Sequence, residues 1–424
     1  SLTAEQIKDR VTTTNFDTLY DIENVLATKN EDTLKGSDDF TIVNILDGYK
    51  GNDTFYASKG LDSFIGGEGI DTLDYSNVDL ANGGTRVIVD LGLQKATDDG
   101  YHDGSTLYTD YISEIEIVKG TSGNDSLYGD SNANSLFGNA GDDVIEGREG
   151  ADYLEGNAGA DIINGGADKD TIYGGDGNDQ LTGGVGNDTL YGEAGLDILI
   201  GSEGDDTFSG GADSDTLTYV SAGSSITVTL GNGSTDFGSI VSSTEGTDTL
   251  LDHIEIIKGS NYSDNIQGFN GTAIVGVDYS DTLYGESNSD IIYGGIGDDT
   301  IYGGSGDDII RGQAGNDVID GGDNDDTLDF SDANIGVQVY LDSTDKNNVA
   351  VAFEVMEDGF GGKDQVTSIE KIIGSNNADT IKGDSNKNTI SSGDGDDTII
   401  ASLGSDTIDG GTHTAGTGGG DWLS

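Results

Sequence analysis

Acidic side chains recur in this chain at a fixed interval. From residue 125 the positions Asp125, Asn134, Asp143, Asp152, Asp161, Asp170, Asp179, Asp188, Asp197, Asp206 and Asp215 are spaced by nine, with one Asn among ten Asp. A second array runs Asp281, Asp290, Asp299, Asp308, Asp317 and Asp326, and a third Asp379, Asn388, Asp397 and Asp406. A weaker one runs Asn44, Asp53, Asp62 and Asp71. Carboxylates repeated this way supply hard oxygen ligands, and they also repel. Two of them about 4 Å apart cost roughly 1 kcal/mol in water and about 4 at an effective dielectric of 20. With 80 acidic residues against 18 basic and a formal charge of −62, the chain needs counter-ions, and bound cations are the obvious remedy. The same surplus makes nucleic acid an implausible partner, since phosphate binding requires Lys and Arg. It also argues against an anionic membrane surface.

The elements that position these acids are short. Two residues after each acid of the longest array sits a large apolar residue: Leu127, Leu136, Ile145, Leu154, Ile163, Ile172, Leu181, Leu190, Leu199, Phe208 and Leu217. The clearest units are GGDGNDQLT (174–182), GGVGNDTLY (183–191), GGIGDDTIY (294–302) and GGSGDDIIR (303–311). A fixed period of this length marks a repeat architecture. Gly at the turn positions permits positive φ, and the apolar residue at position eight points inward to a thin core.

The pattern G-G-x-G-x-D-x-U-x resembles the RTX (repeats-in-toxin, hemolysin-type) calcium-binding repeat, over well more than half of the chain. The resemblance implies an all-β fold: parallel β-roll (β-solenoid) segments, here interrupted by β-strand inserts. Six residues of each unit would turn, three would form a strand, and two units would make one coil. Multiple Ca²⁺ ions would lie between stacked turns, held by backbone carbonyls and by the Asp members of the arrays. That donor set suits Ca²⁺, which takes six to eight oxygens at 2.3–2.6 Å. Asn134 and Asn388 replace the acid at position six and mark turns expected to bind weakly or act as caps. Their entry segments, GDSNAN and GDSNKN, share with GESNSD an Asn at the fourth position, a residue able to take the left-handed conformation. Asp168, Asp213 and Asn324 stand where the fourth-position Gly is usual, so less regular turns are expected there.

Each array ends alike, in DTLDYS (71–76), DTLTYVS (215–221) or DTLDFSD (326–332). An alternating strand follows, RVIVDL (86–91), SITVTL (225–230) or VQVYL (337–341), and then a return segment with an apolar I-E-x-I core. The reading is a short helix and the end of a truncated β-insert over 1–40, with Thr3 and Gln6 as a capping box. Rolls follow at 41–75, 121–219, 261–330 and 377–424, the last running into a further insert. Inserts occupy 76–120, 220–260 and 331–376 and are expected to pack on the end of one roll and lead into the next. Both ends of the sequence look cut from a longer tandem array.

No catalytic constellation stands out, and a non-enzymatic role is expected. His102, His253 and His413 are isolated and lack zinc spacing. Without Cys there is no thiol chemistry, and GFGGKDQ (359–365) lacks the Lys-Ser/Thr pair of a phosphate loop. Tyr173 and Tyr191, and Tyr284 and Tyr302, lie eighteen apart and should stack on adjacent coils, as should the row Thr171, Thr189, Thr207. Such outward rows support the sheet, or offer a surface for self-association or for a cell-surface polysaccharide. The resemblance implies a secreted or cell-surface bacterial protein exported by type I secretion. Within that setting the expectation is a calcium-stabilised spacer or lattice element of a surface layer or adhesin. The alternative is the calcium-binding tail of an exported enzyme or pore-forming toxin. No stretch is apolar enough to insert in a membrane.

Overall fold

The computed structural model describes residues 24–37, 39–78, 86–102, 107–231, 238–252, 254–268, 280–341, 354–400, 402–412 and 422–423. The helix expected near the start lies outside the described residues. Two compact units, Ser1–Asp215 and Thr216–Ser424, are taken in turn. Among the described residues every regular element is a β-strand.

In the first unit the chain winds so that successive repeats fall alternately in two parallel sheets. The register is eighteen residues, two repeats per coil: Leu127 pairs with Ile145, Leu154 with Ile172, Leu190 with Phe208. Proline would break such ladders by removing a donor, and the chain has none. Position eight is the core: Leu127, Leu136, Leu154, Ile163, Ile172, Leu181, Leu190, Leu199 and Phe208 are all fully buried. Their neighbours at positions seven and nine face outward, as the two-residue strand period requires. Strands in the regular coils are longer than the expected three residues. They run six, as in Thr171–Asp176 and Thr189–Ala194, because the first three turn residues also pair with the next coil.

The inserts lead from one roll into the next as strands of the sheets themselves. In the first insert, Val87–Asp90, Lys95–His102 and Leu107–Ser113 form an antiparallel meander. Its last strand pairs in parallel with Ser63–Ile65 of the preceding roll, and its first with Ser126–Tyr128 of the next. The opposite sheet runs straight through, from Thr72–Asp74 to Ile117–Lys119 to Ser135–Ala140. An open roll end exposes unpaired strand edges, and the meander uses both of its own edges to satisfy them. The first sheet therefore continues from Asn24–Leu26 to Ile198–Ile200 without a gap in pairing.

The second unit repeats the scheme. Ile226–Leu230, Gly238–Ser242 and Gly246–Leu250 form one meander, whose first strand pairs in parallel with Asn265–Gln267. In the other sheet Gln338–Tyr340, Glu354–Glu357 and Asp364–Thr367 form the next, joining Val318–Asp323 below to Thr380–Lys382 above. The core is again position eight, with Leu283, Ile292, Ile301, Ile310 and Leu328 fully buried.

The array-ending motif has a steric cause. Tyr75, Tyr219 and Phe330 occupy position one of what would be the next turn, where regular repeats carry Gly, and all three are buried. Their amides still donate to the adjacent coil, at Lys119, Lys258 and Ile373 carbonyls respectively. Their side chains fill the space a regular turn would use, so the chain leaves the roll there.

Adjacent Ile162 and Ile163 offer a test of the thin core, since the first is 51% exposed and the second fully buried. With calcium saturating, Ile163→Ala should cost about 2–5 kcal/mol in denaturant unfolding. Ile162→Ala should stay within about 0.5 kcal/mol. Equal costs would contradict the inward assignment of position eight.

Candidate metal sites

Every regular Asp at position six is placed the same way. Its backbone N–H donates to Oδ1 of the Asp one coil on: Asp143 to Asp161 at 2.7 Å, Asp161 to Asp179 at 2.8 Å, Asp179 to Asp197 at 2.8 Å. The second unit does the same, Asp290 to Asp308 at 2.8 Å and Asp299 to Asp317 at 2.9 Å. The predicted acids Asp53, Asp62, Asp71, Asp125, Asp143, Asp152, Asp161, Asp170, Asp179, Asp188, Asp197, Asp206 and Asp215 are at most 3% exposed. So are Asp281, Asp290, Asp299, Asp308, Asp317, Asp326, Asp379 and Asp397, while Asp406 is half-buried. Two acid ladders thus run up the edges of each solenoid, out of water.

The second carboxylate oxygen divides most of these acids into two groups. In Asp53, Asp71, Asp143, Asp152, Asp161, Asp170, Asp179, Asp188 and Asp197 Oδ2 is buried with no hydrogen-bond partner. The same holds for Asp290, Asp299, Asp308, Asp317 and Asp326. A buried carboxylate oxygen left unpaired is costly, and a bound cation is the natural relief. Each open Oδ2 faces a carbonyl of the next coil. A methyl group built on Gly294 would lie 2.6 Å from Asp299 Oδ2 and 2.5 Å from the Gly312 carbonyl oxygen. On Gly285 it would lie 2.5 Å from both Asp290 Oδ2 and the Gly303 oxygen. A side chain on Gly at position one would collide with these oxygens, which are hard donors of the kind Ca²⁺ takes. Among the described residues no three acidic, His or Cys side chains converge on one point. The donor set is instead mixed, carboxylates from stacked turns together with backbone carbonyls, which is hard-cation chemistry.

In the other group the turn closes on itself. Oδ2 accepts from a hydroxyl or amide at position two: Ser58 Oγ to Asp62 at 2.6 Å, Thr121 N to Asp125 at 2.5 Å, Ser375 N to Asp379 at 2.8 Å, Ser402 Oγ to Asp406 at 2.7 Å. Ser202 does this more weakly to Asp206, at 3.3 Å. Asn134 and Asn388 behave similarly, their Oδ1 accepting from the amides of Asp130 and Asp384, which turns Nδ2 into the buried space. An amide NH₂ there offers a cation nothing. The fourth-position substitutions are less disruptive than expected. Asp168, Asp213 and Asn324 take φ of +76°, +76° and +92°, in the left-handed region of the Gly they replace, and Asn288 takes +73°. Asn132 and Asn386 do not. Their N–H groups instead donate to Asp130 and Asp384 Oδ1 at 2.7 and 2.8 Å.

Several acids of the same ladders escape the nine-residue count because the inserts shift them. Asp110 accepts the Asp62 amide at 2.8 Å, and Asp364 accepts that of Asp317 at 3.1 Å. Asp264 accepts the Ile226 amide at 2.8 Å, and Asp32 stands below Asp53. Glu116 and Glu370 serve Asp71 and Asp326 at 2.8 and 2.9 Å, the longer side chain replacing Asp at the return strand. The recurrent I-E-x-I was the available sign, since Glu there is position six. GFGGKDQ proves to lead into this ladder at Asp364. The side chain of His102, and His253 and His413, lie outside the described residues.

Burial raises the carboxyls of many regular turns. It pushes Asp179 and Asp170 to about 7 and Asp143 and Asp299 to about 8, with neighbouring acids of the ladder adding repulsion that the backbone donors only partly offset.

This is a metal-binding β-solenoid by architecture and donor set. The sequence model of the RTX calcium-binding nonapeptide repeat (4 copies) matches residues 43–73, 119–154, 146–181, 182–217, 275–310, 302–334 and 373–408. Those segments span more than half of the chain, which belongs to that family, and its repeats bind Ca²⁺ at multiple sites. No curated protein matches the chain as a whole.

Two outcomes follow for calcium titration. Asp179→Ala should lower the number of ions bound, whereas Asn134→Ala should leave it unchanged; equal losses in calorimetry would refute the division of turns. The second concerns protons. Because the folded pKa values lie above the ordinary 3.8, the ion-free roll holds protons that the unfolded chain has released. Its stability is therefore greatest in acid and falls as pH rises through about 7–8. Calcium must displace those protons. Binding at pH 6.5 should release more protons per ion than at pH 8.5, read from the buffer dependence of the calorimetric enthalpy, and affinity should fall with acid.

Proposed function

We propose that this chain is a calcium-stiffened scaffold segment of an exported, surface-located bacterial protein, a spacer or lattice element rather than a catalyst. RTX repeats occur typically in secreted proteins. The observation that carries the scaffold reading is the continuity of strand pairing through the inserts. Each unit remains one hydrogen-bonded solenoid where a set of separate rolls would have been joined by loops. A solenoid transmits load through nearest-neighbour coils, and ions between coils cross-link them without Cys. The acid oxygens are committed to the coil below and to cations, which leaves them unsuited to proton transfer on a substrate.

The outward tyrosines fit a structural part. Tyr173 and Tyr191 stack at 4.7 Å and 9°, and Tyr284 and Tyr302 at 4.7 Å and 11°. Phe137 and Tyr153 extend the first stack at 5.7 and 5.5 Å. The faces within each stacked pair pack on one another, so the edges and hydroxyls of Tyr173, Tyr191, Tyr284 and Tyr302 are left for lateral contact with a second copy of the chain. A sugar ring needs an aromatic face, which makes polysaccharide the weaker partner. Among the described residues no helix is long and apolar enough to cross a membrane.

Calcium should fold the chain. Binding at a hundred times Kd adds about 2.7 kcal/mol per site, and several sites exceed an ordinary domain's stability of about 5–15 kcal/mol. In EGTA the far-ultraviolet circular dichroism should lose its β character, and millimolar Ca²⁺ should restore it. Single-molecule pulling then tests the scaffold. Resistance to extension should be high in Ca²⁺ and largely lost in EGTA, and surface labelling of intact cells should locate the parent protein outside. Equal, low resistance in both conditions, or a parent that is a freely soluble hydrolase or toxin, would overturn the scaffold reading while leaving calcium binding intact.

A further inference from the structure

The coil that follows the first insert is built unlike the coils above it. Its turns are residues 120–125 and 129–134. In the first, Thr121 gives its amide to Asp125 Oδ2 and its hydroxyl to both carboxylate oxygens, at 2.5, 3.0 and 3.1 Å. In the second the carboxylate is gone, and Asn134 stands in its place with Oδ1 bound to the Asp130 amide. The turn carbonyls are occupied too. Gly120 O accepts a 2.8 Å hydrogen bond from Asn139 Nδ2, and Gly129 O accepts one of 2.8 Å from Arg148 Nη1. Both donors sit at position two of the next coil, with left-handed φ of +79° and +83°. Regular turns such as those at Gly175 and Gly184 carry no side chain there.

Arg148 does more than fill a carbonyl valence. Its guanidinium holds Asp90 through two parallel bonds of 2.8 and 2.9 Å and stands 5.4 Å over the Tyr128 ring. Asp90 ends the first strand of the insert, which pairs with Ser126–Tyr128. One permanently charged group thus ties insert and roll together beside the turn that has lost its acid.

The geometry points to a coil that takes no calcium, with Arg148 as its resident cation. Thr121, Asn139 and Arg148 satisfy the oxygens that an ion would otherwise share. A divalent ion would meet a guanidinium at the Gly129 carbonyl, and Asn134 supplies no carboxylate from its own turn to offset the repulsion. The coils entered after the other two inserts begin with the same closed turn, through Ser260 on Asp264 and Ser375 on Asp379, each at 2.7 Å. The seam between insert and roll is therefore held by protein donors, while the coils beyond it depend on ions.

The inference rests on the reading that regular turns bind calcium, and ion counting separates the two. Equilibrium dialysis of the whole chain with radioactive Ca²⁺ should give the same count for wild type, R148K and N134A. N134D/R148G, which restores the acid and clears position two, should bind one ion more per chain. Chelation of the wild type, followed by amide exchange, should release the Asp161 and Asp179 amides before those of Asp125 and Asn134. A wild type that binds no calcium would overturn both readings. A folded N134D/R148G with the wild-type count, or Asp125 and Asn134 amides released first, would overturn the calcium-free coil alone.

Discussion

Everything in this fold answers to one electrostatic constraint: carboxylates stacked one coil apart and shut away from water. Each regular Asp spends one oxygen on the amide of the Asp below and turns the other into a space lined by the next coil's carbonyl. The first oxygen fixes the register at eighteen residues. The second makes each coil's charge its neighbour's problem, since a stack of buried acids has no relief short of protonation or a cation. The remaining eight positions of the repeat serve that stack. Position one must be Gly to leave room for the ion, and positions two and four must bend backward. Position eight must be apolar, because one inward side chain per repeat is all the core there is.

The same constraint explains how the chain leaves the roll and returns. An aromatic residue at position one, as at Tyr75, Tyr219 and Phe330, fills the ion's room and expels the chain. A Glu at position six, as at Glu116, reaches back to the amide that an Asp would have met. A Ser or Thr at position two supplies the hydrogen bonds that an ion would have made unnecessary. Each is a one-residue edit of the repeat, and each appears where a meander is spliced into a sheet.

The parts legible in the sequence were those set by period. The ladder of Asp125 to Asp215, the inward Leu and Ile, the parallel coil and the stacking of Tyr173 on Tyr191 all follow from a spacing of nine. What stayed hidden depends on pairing across long gaps. Asp110 and Asp364 join the ladder from inside inserts, 48 and 47 residues from their partners, distances that no count along the chain reveals. The division of turns was in the sequence, in Thr121 and Ser375 against Gly at position two. Its meaning needed the hydrogen bonds, because a Ser in a turn is otherwise unremarkable. Asp168, Asp213 and Asn324 keep a positive φ, since Asp and Asn tolerate the left-handed region, but at +76°, +76° and +92° against +144° and +158° at Gly177 and Gly186.

A chain with a charge of −62 whose repeats bind cations has to be assembled in some order. Nearest-neighbour solenoids propagate from any coil already formed. In regular coils formation needs an ion, and the ion's site needs two turns already stacked, so the first step is the hardest. A coil whose turns are closed by Thr121, Asn139 and Arg148 avoids that circularity. Its meander partner is antiparallel and local, with Val89 paired to Ala96 across a short turn, so it forms without closing a long loop. The insert with its closed coil then presents a finished edge, on which the Asp125 amide is placed to meet Asp143 Oδ1 of the next coil. On that edge the first ion-dependent turn can settle. The inserts are in this sense the starting blocks of the rolls, and the carboxylate ladder is what calcium then extends from them.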